Sequence, residues 1–327
     1  MAVIAIDLGG TNIRFGYAET EAAALTHLQV MACADFPRIE DAIAAYLDAL
    51  PDPEKSTLEA ISIAVAGPVM GDWIDITNNH WAFSKTALLD NLPVQRLMVL
   101  NDFTAQALAQ ETPHRPGNTL IKPGQGNPDA PLLVIGPGTG LGVAAVKPTP
   151  FGPLAIEGEG GHVYFTPRSD PERALEAFLR QEIGFVSAEH IISGSGLEAI
   201  YRFLCHQNNG DAAPKTAAEI GGQALSAEGV ERQACFMMLN ALASIMVNNI
   251  ITLGCWQGAA IAGGIVPRLA PLIEASRFVD RIQDAGVLTA PFQDLPIWLA
   301  TAPYLGLEGA RAALGNPYLS AHMLVKP

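Results

Sequence analysis

The sequence predicts a two-domain α/β protein in which a mixed sheet carries helices on its faces. The chain has 327 residues. This length exceeds that of most domains with a single hydrophobic core and suits two domains of about 100–200 residues each. A unit made of an apolar strand, a glycine turn and a second strand occurs twice, at residues 3–17 and 132–146. Because residue identity between the two copies is low, we interpret them as a repeat of structure.

The first half of the chain predicts three strands followed by a helix, a strand, a second helix and a last strand. The first two strands, Val3–Ile6 and Ile13–Tyr17, flank the glycine turn and are expected to pair antiparallel. Apolar residues at helical spacing between residues 39 and 50 predict the first helix. The other strands are expected at 28–34, 61–65 and 97–100. This order favours a mixed sheet flanked by helices.

Proline and glycine crowd the segment from Thr112 to Pro131, which makes it the best candidate for a crossing between domains. Similar elements then return. Strands are predicted at 132–135, 141–146, 259–262 and 297–300, and helices at 171–181, 197–206, 230–253 and around 307–314. The long apolar helix at 230–253 could be core or a dimer face, and we expect it to be core.

Composition and charge restrict the class of protein. The formal net charge is −14, so nucleic acid and anionic membranes are not expected as partners. The four cysteines are scattered without a CxxC pair, which indicates reduced thiols. The N-terminus lacks a basic region and reaches Asp7 after a short apolar run, so no signal peptide is expected. The best candidate for a membrane span, Ala241–Leu253, is too short, and we expect a soluble cytoplasmic protein.

Two glycine turns, each after a buried strand, are candidates for phosphate binding. Asp7-Leu8-Gly9-Gly10-Thr11-Asn12 combines backbone amides with a carboxylate placed where phosphate-bound Mg²⁺ would lie. Residues 136–140, Gly-Pro-Gly-Thr-Gly, offer three glycines and a hydroxyl, although no GKS or GKT follows as in a P-loop. Each segment could instead be a plain hairpin, but two such turns favour phosphate binding more than one does.

Polar residues at two further places suit ligand binding. Asn101 and Asp102 follow a buried strand and open a helix, where ligand groups gather in α/β folds; alternatively, Asp102 caps the helix. The loop 157–162 holds two glutamates and His162, and a single histidine makes a poor zinc site. These side chains suit hydrogen bonds to vicinal hydroxyls better. Glu189 offers another acceptor, unless it belongs to a solvated helix face.

Seven blocks of the sequence resemble the bacterial glucokinases of the non-ROK type. They occur in the family's order from residue 4 to about residue 315, and they read IDLGGTNIRFG, TNNHWAF, LNDFTAQA, IGPGTGLGVA, GEGGHVYF, EIGFVSAEHIISGSGLEAIY and IAGGIVPR. The resemblance implies an actin-like ATPase fold: two ribonuclease H-like α/β domains, with mixed sheets flanked by helices, that close on an interdomain cleft. It implies a small domain of residues 1–112 plus 303–327 and a large domain of residues 113–302.

The resemblance also implies a role for each candidate residue. Asp102 is expected to be the catalytic base, and Asp7 is expected to bind Mg²⁺ through water. The expected glucose ligands are Asn101, Asp102, Glu159, His162 and Glu189. The expected nucleotide-binding residues are Asp7, Leu8, Gly9, Gly10, Thr11 and Asn12 in the first phosphate turn, Gly138, Thr139 and Gly140 in the second, and Gly263 and Gly264 on the adenosine side.

The activity implied by the resemblance is transfer of the γ-phosphoryl group of ATP to the 6-hydroxyl of glucose, the first step of glycolysis. ATP and Mg²⁺ are the expected cofactors, glucose and ATP the expected partners, and the expected assembly is a homodimer. A kinase for another hexose or an N-acetylhexosamine is the nearest alternative, and ADP or polyphosphate could replace ATP. ATP-driven chaperones and sugar-sensing repressors share the actin-like fold. A repressor needs a helix-turn-helix, however, and the first phosphate turn begins at residue 7.

Overall fold

The computed structural model of the chain describes residues 1–76, 79–110, 117–208, 210 and 213–327. The strands are β1 Ala2–Leu8, β2 Asn12–Ala18, β3 Thr26–Ala32, β4 Leu58–Val65, β5 Trp73–Asp75, β6 Ala82–Ser84, β7 Arg96–Asn101, β8 Asn118–Lys122, β9 Leu132–Pro137, β10 Leu141–Lys147, β11 Leu154–Ile156, β12 Gly258–Ile261, β13 Ile297–Ala300 and β14 Met323–Val325. The α-helices are α1 Ile39–Ala49, α2 Asp52–Ser56, α3 Lys85–Asn91, α4 Asp102–Ala109, α5 Asp170–Ile183, α6 Gly194–Gln207, α7 Ala217–Ser226, α8 Val230–Leu253, α9 Val266–Ile273, α10 Phe278–Gln283, α11 Thr289–Gln293 and α12 Leu305–Leu314.

The first sheet is mixed and has the strand order β14-β7-β4-β1-β2-β3. Strand β1 pairs antiparallel with β2 and parallel with β4, which in turn pairs parallel with β7. Alternate residues of β1 therefore face opposite sides of the sheet. Ile4 and Ile6 belong to one apolar cluster, which also contains residues of α1 and α3. Val3 and Ala5 belong to another, which contains residues of α4 and α12. Both faces of this sheet are thus covered by helices.

The second sheet repeats the arrangement of the first. Its order is β11-β10-β9-β12-β13-β8, with β12 parallel to both β9 and β13. Numbered by their place in each half of the chain, five strands run 3-2-1-4-5 in both sheets. A sixth strand then pairs antiparallel at the edge, β14 on β7 and β8 on β13. The predicted repeat of structure is confirmed at the level of sheet topology.

The chain forms two compact units. The first comprises Met1–Thr112, Val146–Ile156 and Ala302–Pro327, and the second comprises Pro113–Ala145 and Glu157–Thr301. The predicted domains, 1–112 plus 303–327 and 113–302, stay a prediction, and they assign residues 146–156 differently. The predicted boundary between residues 112 and 113 lies outside the described residues.

Most predicted elements are present, with bounds that shift by a few residues. The segment predicted as a domain crossing contains a strand that we did not predict, β8, which pairs with β13. The pattern was hidden because glycine and proline lie on both sides of β8 and three of its residues, 118, 119 and 122, are polar. Residues 112–116 of that segment lie outside the described part of the chain. The third strand is Thr26–Ala32, and the chain turns into a short 3₁₀ helix at Cys33.

Helix α8 is central to the second unit. Within the described residues it is the one helix long and apolar enough to cross a membrane, but 72% of its most apolar 18-residue window is buried in the protein. It contacts α6, α7, α9 and α10, and its buried residues include Leu239 and Leu242. These contacts agree with the predicted role of a core helix.

Candidate active site

Asp7 lies one residue before the end of β1, and its carboxylate faces the cross-strand residue Arg14. A guanidinium nitrogen of Arg14 donates to Asp7 Oδ2 at 3.0 Å, and the Asp7 side chain is 18% exposed. Burial raises the pKa of Asp7, while the charge of Arg14 and its hydrogen bond oppose that rise. The result is a sheltered carboxylate held in one orientation by its neighbour on β2.

The turn after Asp7 is held by backbone and side-chain hydrogen bonds. The Gly9 amide donates to the Asn12 carbonyl at 3.0 Å, which closes the hairpin between β1 and β2. The Gly9 carbonyl accepts from Asn79 Nδ2 at 3.2 Å. Leu8 is fully buried, so within this predicted site only its backbone is available to a ligand. Thr11 is exposed at the tip of the turn.

Helix α12 begins directly beside Asp7, a neighbour that the sequence did not reveal. A Cβ atom on Gly306 would lie 2.7 Å from Asp7 Cγ. Only a residue without a side chain therefore fits between the start of this helix and the carboxylate. The N-terminal end of a helix favours negative charge, so α12 supplies a second favourable neighbour for ionised Asp7.

Asn101 and Asp102 mark the passage from β7 to α4. Asn101 is the N-cap: its Oδ1 accepts from the amides of Phe103 at 2.8 Å and Thr104 at 3.2 Å, and its Nδ2 donates to the Gly67 carbonyl at 3.1 Å. The alternative interpretation of Asp102 as the cap is therefore wrong, because the cap lies one residue earlier. Asp102 is the first residue of α4, and its Oδ1 accepts from the Phe103 amide at 3.0 Å.

The parallel register brings the two parts of the first unit's site to one sheet edge. Leu8 pairs with Val65, and Val65 pairs with Asn101. Adjacent strands lie about 4.8 Å apart, so the ends of β1 and β7 are separated by roughly 10 Å. The first glycine turn and Asp102 thus follow strands that end in the same row.

The second unit contains the other glycine turn, between β9 and β10. The Gly138 amide donates to the Gly140 carbonyl at 2.8 Å, and the Gly138 carbonyl accepts from the Gly194 amide, at the start of α6, at 2.9 Å. A Cβ atom at Gly138 would meet nothing within 4 Å, and Thr139 is exposed. The turn is therefore anchored by α6 while its tip stays accessible.

Glu189 and the loop 157–162 lie against this turn. Glu189 Oε2 accepts from the Leu141 amide at 2.8 Å, and the Glu189 amide donates to the Gly161 carbonyl at 2.9 Å. His162 Nε2 is 3.8 Å from Glu159 Oε2, and both side chains are about half exposed, at 58% and 48%. The structure thus gathers three predicted sugar ligands around the start of β10.

Gly263 and Gly264 follow β12, the parallel neighbour of β9. Gly263 has φ +80°, and a Cβ atom there would lie 2.6 Å from the Pro137 carbonyl oxygen. The fold therefore requires glycine at position 263, independently of any contact with a ligand. A Cβ atom at Gly264 would meet nothing within 4 Å.

Beside this turn an apolar groove of about 240 Å³ lies between α7 and α9; its lining includes Leu197, Gly222, Ile265 and Leu269. Sequence reasoning missed this groove because its walls come from three separate helices.

Each unit therefore carries its own group of predicted site residues. In the first unit these are the Asp7 turn and Asn101-Asp102, and in the second they are the turn 138–140, Glu159, His162, Glu189 and Gly263-Gly264. Among the residues that the structure describes, no cluster of three or more histidine, cysteine, aspartate or glutamate side chains could hold a metal ion by itself.

Comparison with known proteins identifies the family. The glucokinase family model matches residues 4–317. The chain is 40% identical over 332 residues to a glucokinase of Ralstonia nicotianae, covering 97% of this chain and 96% of that protein. It is 36% identical over 313 residues to a glucokinase of Neisseria gonorrhoeae, covering 95% and 94%.

Comparison with solved structures points to the same family. A crystal structure of a glucokinase from an Antarctic psychrotroph superposes with a TM-score of 0.81 at 30% identity, covering 96% of this chain and 99% of that one. The predicted fold class is confirmed by this likeness and by the two matching sheets. The chain therefore belongs to the glucokinase family, as its sequence blocks had indicated.

Proposed function

We propose that this protein is an ATP-dependent glucokinase, which transfers the γ-phosphoryl group of ATP to the 6-hydroxyl of glucose. Relatives named glucokinase, 36–40% identical over 95–97% of the chain, support the activity. The structural observation that carries the proposal is the row of strand ends in the first unit. It places the carboxylate residue Asp102 on the same sheet edge as the glycine turn 9–12.

Asp102 is the proposed catalytic base. Its carboxylate accepts from the Phe103 amide at 3.0 Å, and a carboxylate offers about four acceptor positions, so a sugar hydroxyl can donate to it as well. In this role Asp102 orients the 6-hydroxyl toward the γ-phosphorus and takes its proton as the new O–P bond forms. Such general-base assistance is usually worth about 10²–10⁴-fold in rate.

The two glycine turns are the proposed phosphate-binding elements, and the residues of the first turn fit a magnesium ion. Asp7 offers a carboxylate, the ligand type that Mg²⁺ prefers, and one of its oxygens already accepts from Arg14. Because Asp7 already accepts this hydrogen bond, we propose that it contacts Mg²⁺ through a water molecule. When bound, Mg²⁺ would neutralise the negative charge on the β- and γ-phosphate oxygens. The turn amides and Arg14 are the chain's own positive neighbours there.

Asn101, Glu159, His162 and Glu189 are the proposed readers of the sugar hydroxyls. Asn101 keeps one amide proton beyond the one given to Gly67, because a carboxamide carries two. Sites that hydrogen-bond a substrate hydroxyl reject analogues lacking it by about 10⁴-fold or more. In this proposal, hydrogen bonds from these residues to the sugar hydroxyls make the enzyme specific for a hexose.

The groove between α7 and α9 favours ATP over polyphosphate as the donor. It is apolar and lies directly after Gly263-Gly264, where a flat purine base can be buried while its phosphates extend toward the turn 138–140. A polyphosphate donor has no group that uses such a surface.

The proposal extends to the protein's location, assembly and domains. The proposed location is the cytoplasm, and the net charge of −14 argues against affinity for nucleic acid. The proposed assembly is a homodimer, which light scattering on the purified protein tests directly. The proposed domains are residues 1–112 plus 303–327 and residues 113–302, which limited proteolysis tests.

The proposed function is tested by a coupled assay for glucose 6-phosphate with Mg·ATP, ADP and polyphosphate as donors and with competing hexoses as acceptors. Asp102→Asn should lower kcat by at least about 10²-fold while glucose still binds in a calorimetric titration. Asp52→Asn is the matched control, since Asp52 is 99% exposed on α2 of the same unit and should leave kcat unchanged. Near-normal turnover by Asp102→Asn would remove Asp102 from the mechanism. No glucose binding by the unaltered protein would favour a chaperone-like ATPase instead.

A further inference from the structure

The Glu189 carboxylate forms a hydrogen bond at the exit of the second glycine turn. Its Oε2 accepts from the amide of Leu141, the residue that follows the turn, at 2.8 Å. A Cβ atom on Gly140 would lie 2.4 Å from the same Oε2. The carboxylate therefore occupies the space that a side chain at Gly140 would take, and it holds the exit of the turn in place.

The loop that carries Glu159 and His162 is attached at the same point. The Glu189 amide donates to the Gly161 carbonyl at 2.9 Å. A Cβ atom on Gly161 would lie only 2.0 Å from the Leu141 carbonyl oxygen, so the two backbones are in direct contact. Glu189 thus connects the loop of proposed sugar ligands to the first residue of β10 through both its amide and its carboxylate.

The other end of the turn is fixed independently. The Gly138 carbonyl accepts from the Gly194 amide at 2.9 Å, and Ser193, the N-cap of α6, accepts from the Gly196 amide at 3.0 Å. With its entry held by α6, the turn has the Glu189 carboxylate as a side-chain contact at its exit.

We propose that Glu189 is a positioning residue for the phosphate turn 138–140 as well as a sugar ligand. Its carboxylate sets the turn's amides at the spacing that a nucleotide phosphate requires, so one side chain links the sugar site to the phosphate site. This inference rests on the proposed function, because it takes the turn to be a phosphate site. It predicts that loss of Glu189 weakens nucleotide binding even when no sugar is present.

Substitutions at Glu189 separate the two roles. Glu189→Gln keeps an oxygen that can accept from the Leu141 amide, whereas Glu189→Ala removes the acceptor. The affinity for Mg·ADP without sugar, measured by calorimetry, should fall about tenfold in Glu189→Ala, equivalent to about 1.4 kcal/mol. It should stay within about threefold of wild type in Glu189→Gln, while glucose affinity falls in both.

Glu159→Ala is the matched control for the nucleotide measurement. Glu159 is a proposed sugar ligand of the same unit, but the contact observed for its side chain is with His162 at 3.8 Å. Its removal should weaken glucose binding and leave Mg·ADP affinity unchanged. Melting temperatures of all variants are recorded, so that a loss of affinity can be separated from a loss of fold.

Gly140→Ala provides a second and independent test. The added Cβ displaces the Glu189 carboxylate, so this variant should lose about as much Mg·ADP affinity as Glu189→Ala. In the Glu189→Ala background the obstacle is gone, and Gly140→Ala should then cost little. Such non-additivity is the signature of one shared interaction. If Gly140 instead needs to be glycine only because a phosphate lies against it, its cost persists in both backgrounds and the inference is overturned.

The outcomes also separate this inference from the proposed function. Equal Mg·ADP affinity in wild type and Glu189→Ala overturns the positioning role alone. A protein that binds Mg·ADP with the predicted dependence on Glu189 but does not phosphorylate glucose refutes the proposed substrate and supports the positioning role. Failure of the wild-type protein to bind Mg·ADP at all refutes both.

Discussion

Helices α4 and α12 touch at Gly309, and adding one methyl group there should disturb both stability and catalysis. A Cβ atom on Gly309 would lie 1.7 Å from the Ala105 carbonyl oxygen and 2.3 Å from its carbon. Real Cβ atoms essentially never lie closer than 3.0 Å to another heavy atom. The helices must therefore separate by at least about 1.3 Å, which is the difference between 3.0 Å and the 1.7 Å to the Ala105 oxygen. The obstacle is backbone, which cannot rotate away.

The expected cost follows from two opposing effects. Overpacking of this kind costs about 1–3 kcal/mol, and the higher value applies because the contact is with a carbonyl. Alanine in place of glycine inside a helix returns about 1 kcal/mol. We therefore expect Gly309→Ala to lower the free energy of unfolding by about 2 kcal/mol. At about 2–4 °C per kcal/mol, the melting temperature of the first unit should fall by roughly 4–8 °C.

Catalysis should suffer separately, because α4 begins at the proposed base Asp102. A misplacement of about 1 Å can cost about 10²-fold in rate, so kcat of Gly309→Ala, measured well below its melting temperature, should fall by about that factor. The control for the melting temperature alone is Gly222→Ala on α7, where the new Cβ meets nothing within 4 Å and stability should rise by about 0.5–1 kcal/mol. Calorimetry and the coupled assay give both readouts. A Gly309→Ala protein with wild-type melting temperature and kcat would refute this account of the helix contact.

Two further predictions concern the nucleotide side of the site. Burial raises the pKa of Asp7 and Arg14 opposes that rise, so Arg14→Met should raise this pKa further and shift the acidic limb of the pH profile of kcat/KM for Mg·ATP to higher pH. The free energy of unfolding of the variant should also fall more than that of wild type as the pH rises above about 3.9, because Asp7 then ionises in the unfolded chain but not in the folded one. An acidic limb at the same pH as in wild type would contradict the role of Arg14. Gly222→Leu should fill part of the groove between α7 and α9 and weaken Mg·ATP binding several-fold without lowering the melting temperature. Unchanged affinity would mean that the adenine base of ATP does not bind in this groove.

Much of the fold could be predicted because its strands are short, apolar and followed by glycine turns. Helix α8 and strand β13 have the predicted bounds, Val230–Leu253 and Ile297–Ala300. Neither segment contains a glycine or a proline, so local propensity and burial agree. The edge strands β8, β11 and β14 were missed. Each is short and much of it is half-exposed or exposed, so burial imposes no clear alternation on its sequence.

The site could be predicted in its members but not in its contacts. Asp7 and Asn101 were selected from local motifs and Glu189 through the family resemblance. Neither route shows that Asn101 is the N-cap or that Glu189 reaches Leu141 across 48 residues of sequence. Gly306, which lies against Asp7, is almost 300 residues away in the chain. Such close approaches depend on the register of the sheet and the packing of α12, which sequence periodicity alone does not reveal.

The late position of α12 and β14 in the chain has a consequence for how the protein is made. Helix α12 belongs to the apolar cluster that includes Val3 and Ala5, and β14 pairs with β7, yet both follow the entire second unit in the sequence. During synthesis at about 5–20 residues per second, residues 1–110 emerge roughly 10–40 s before the helix that covers them. The second unit is complete by Thr301 and can fold first, while the earlier-made sheet waits with one apolar face incompletely covered. Slow translation or a truncation before Leu305 should therefore drive this protein into aggregates rather than into a stable fragment.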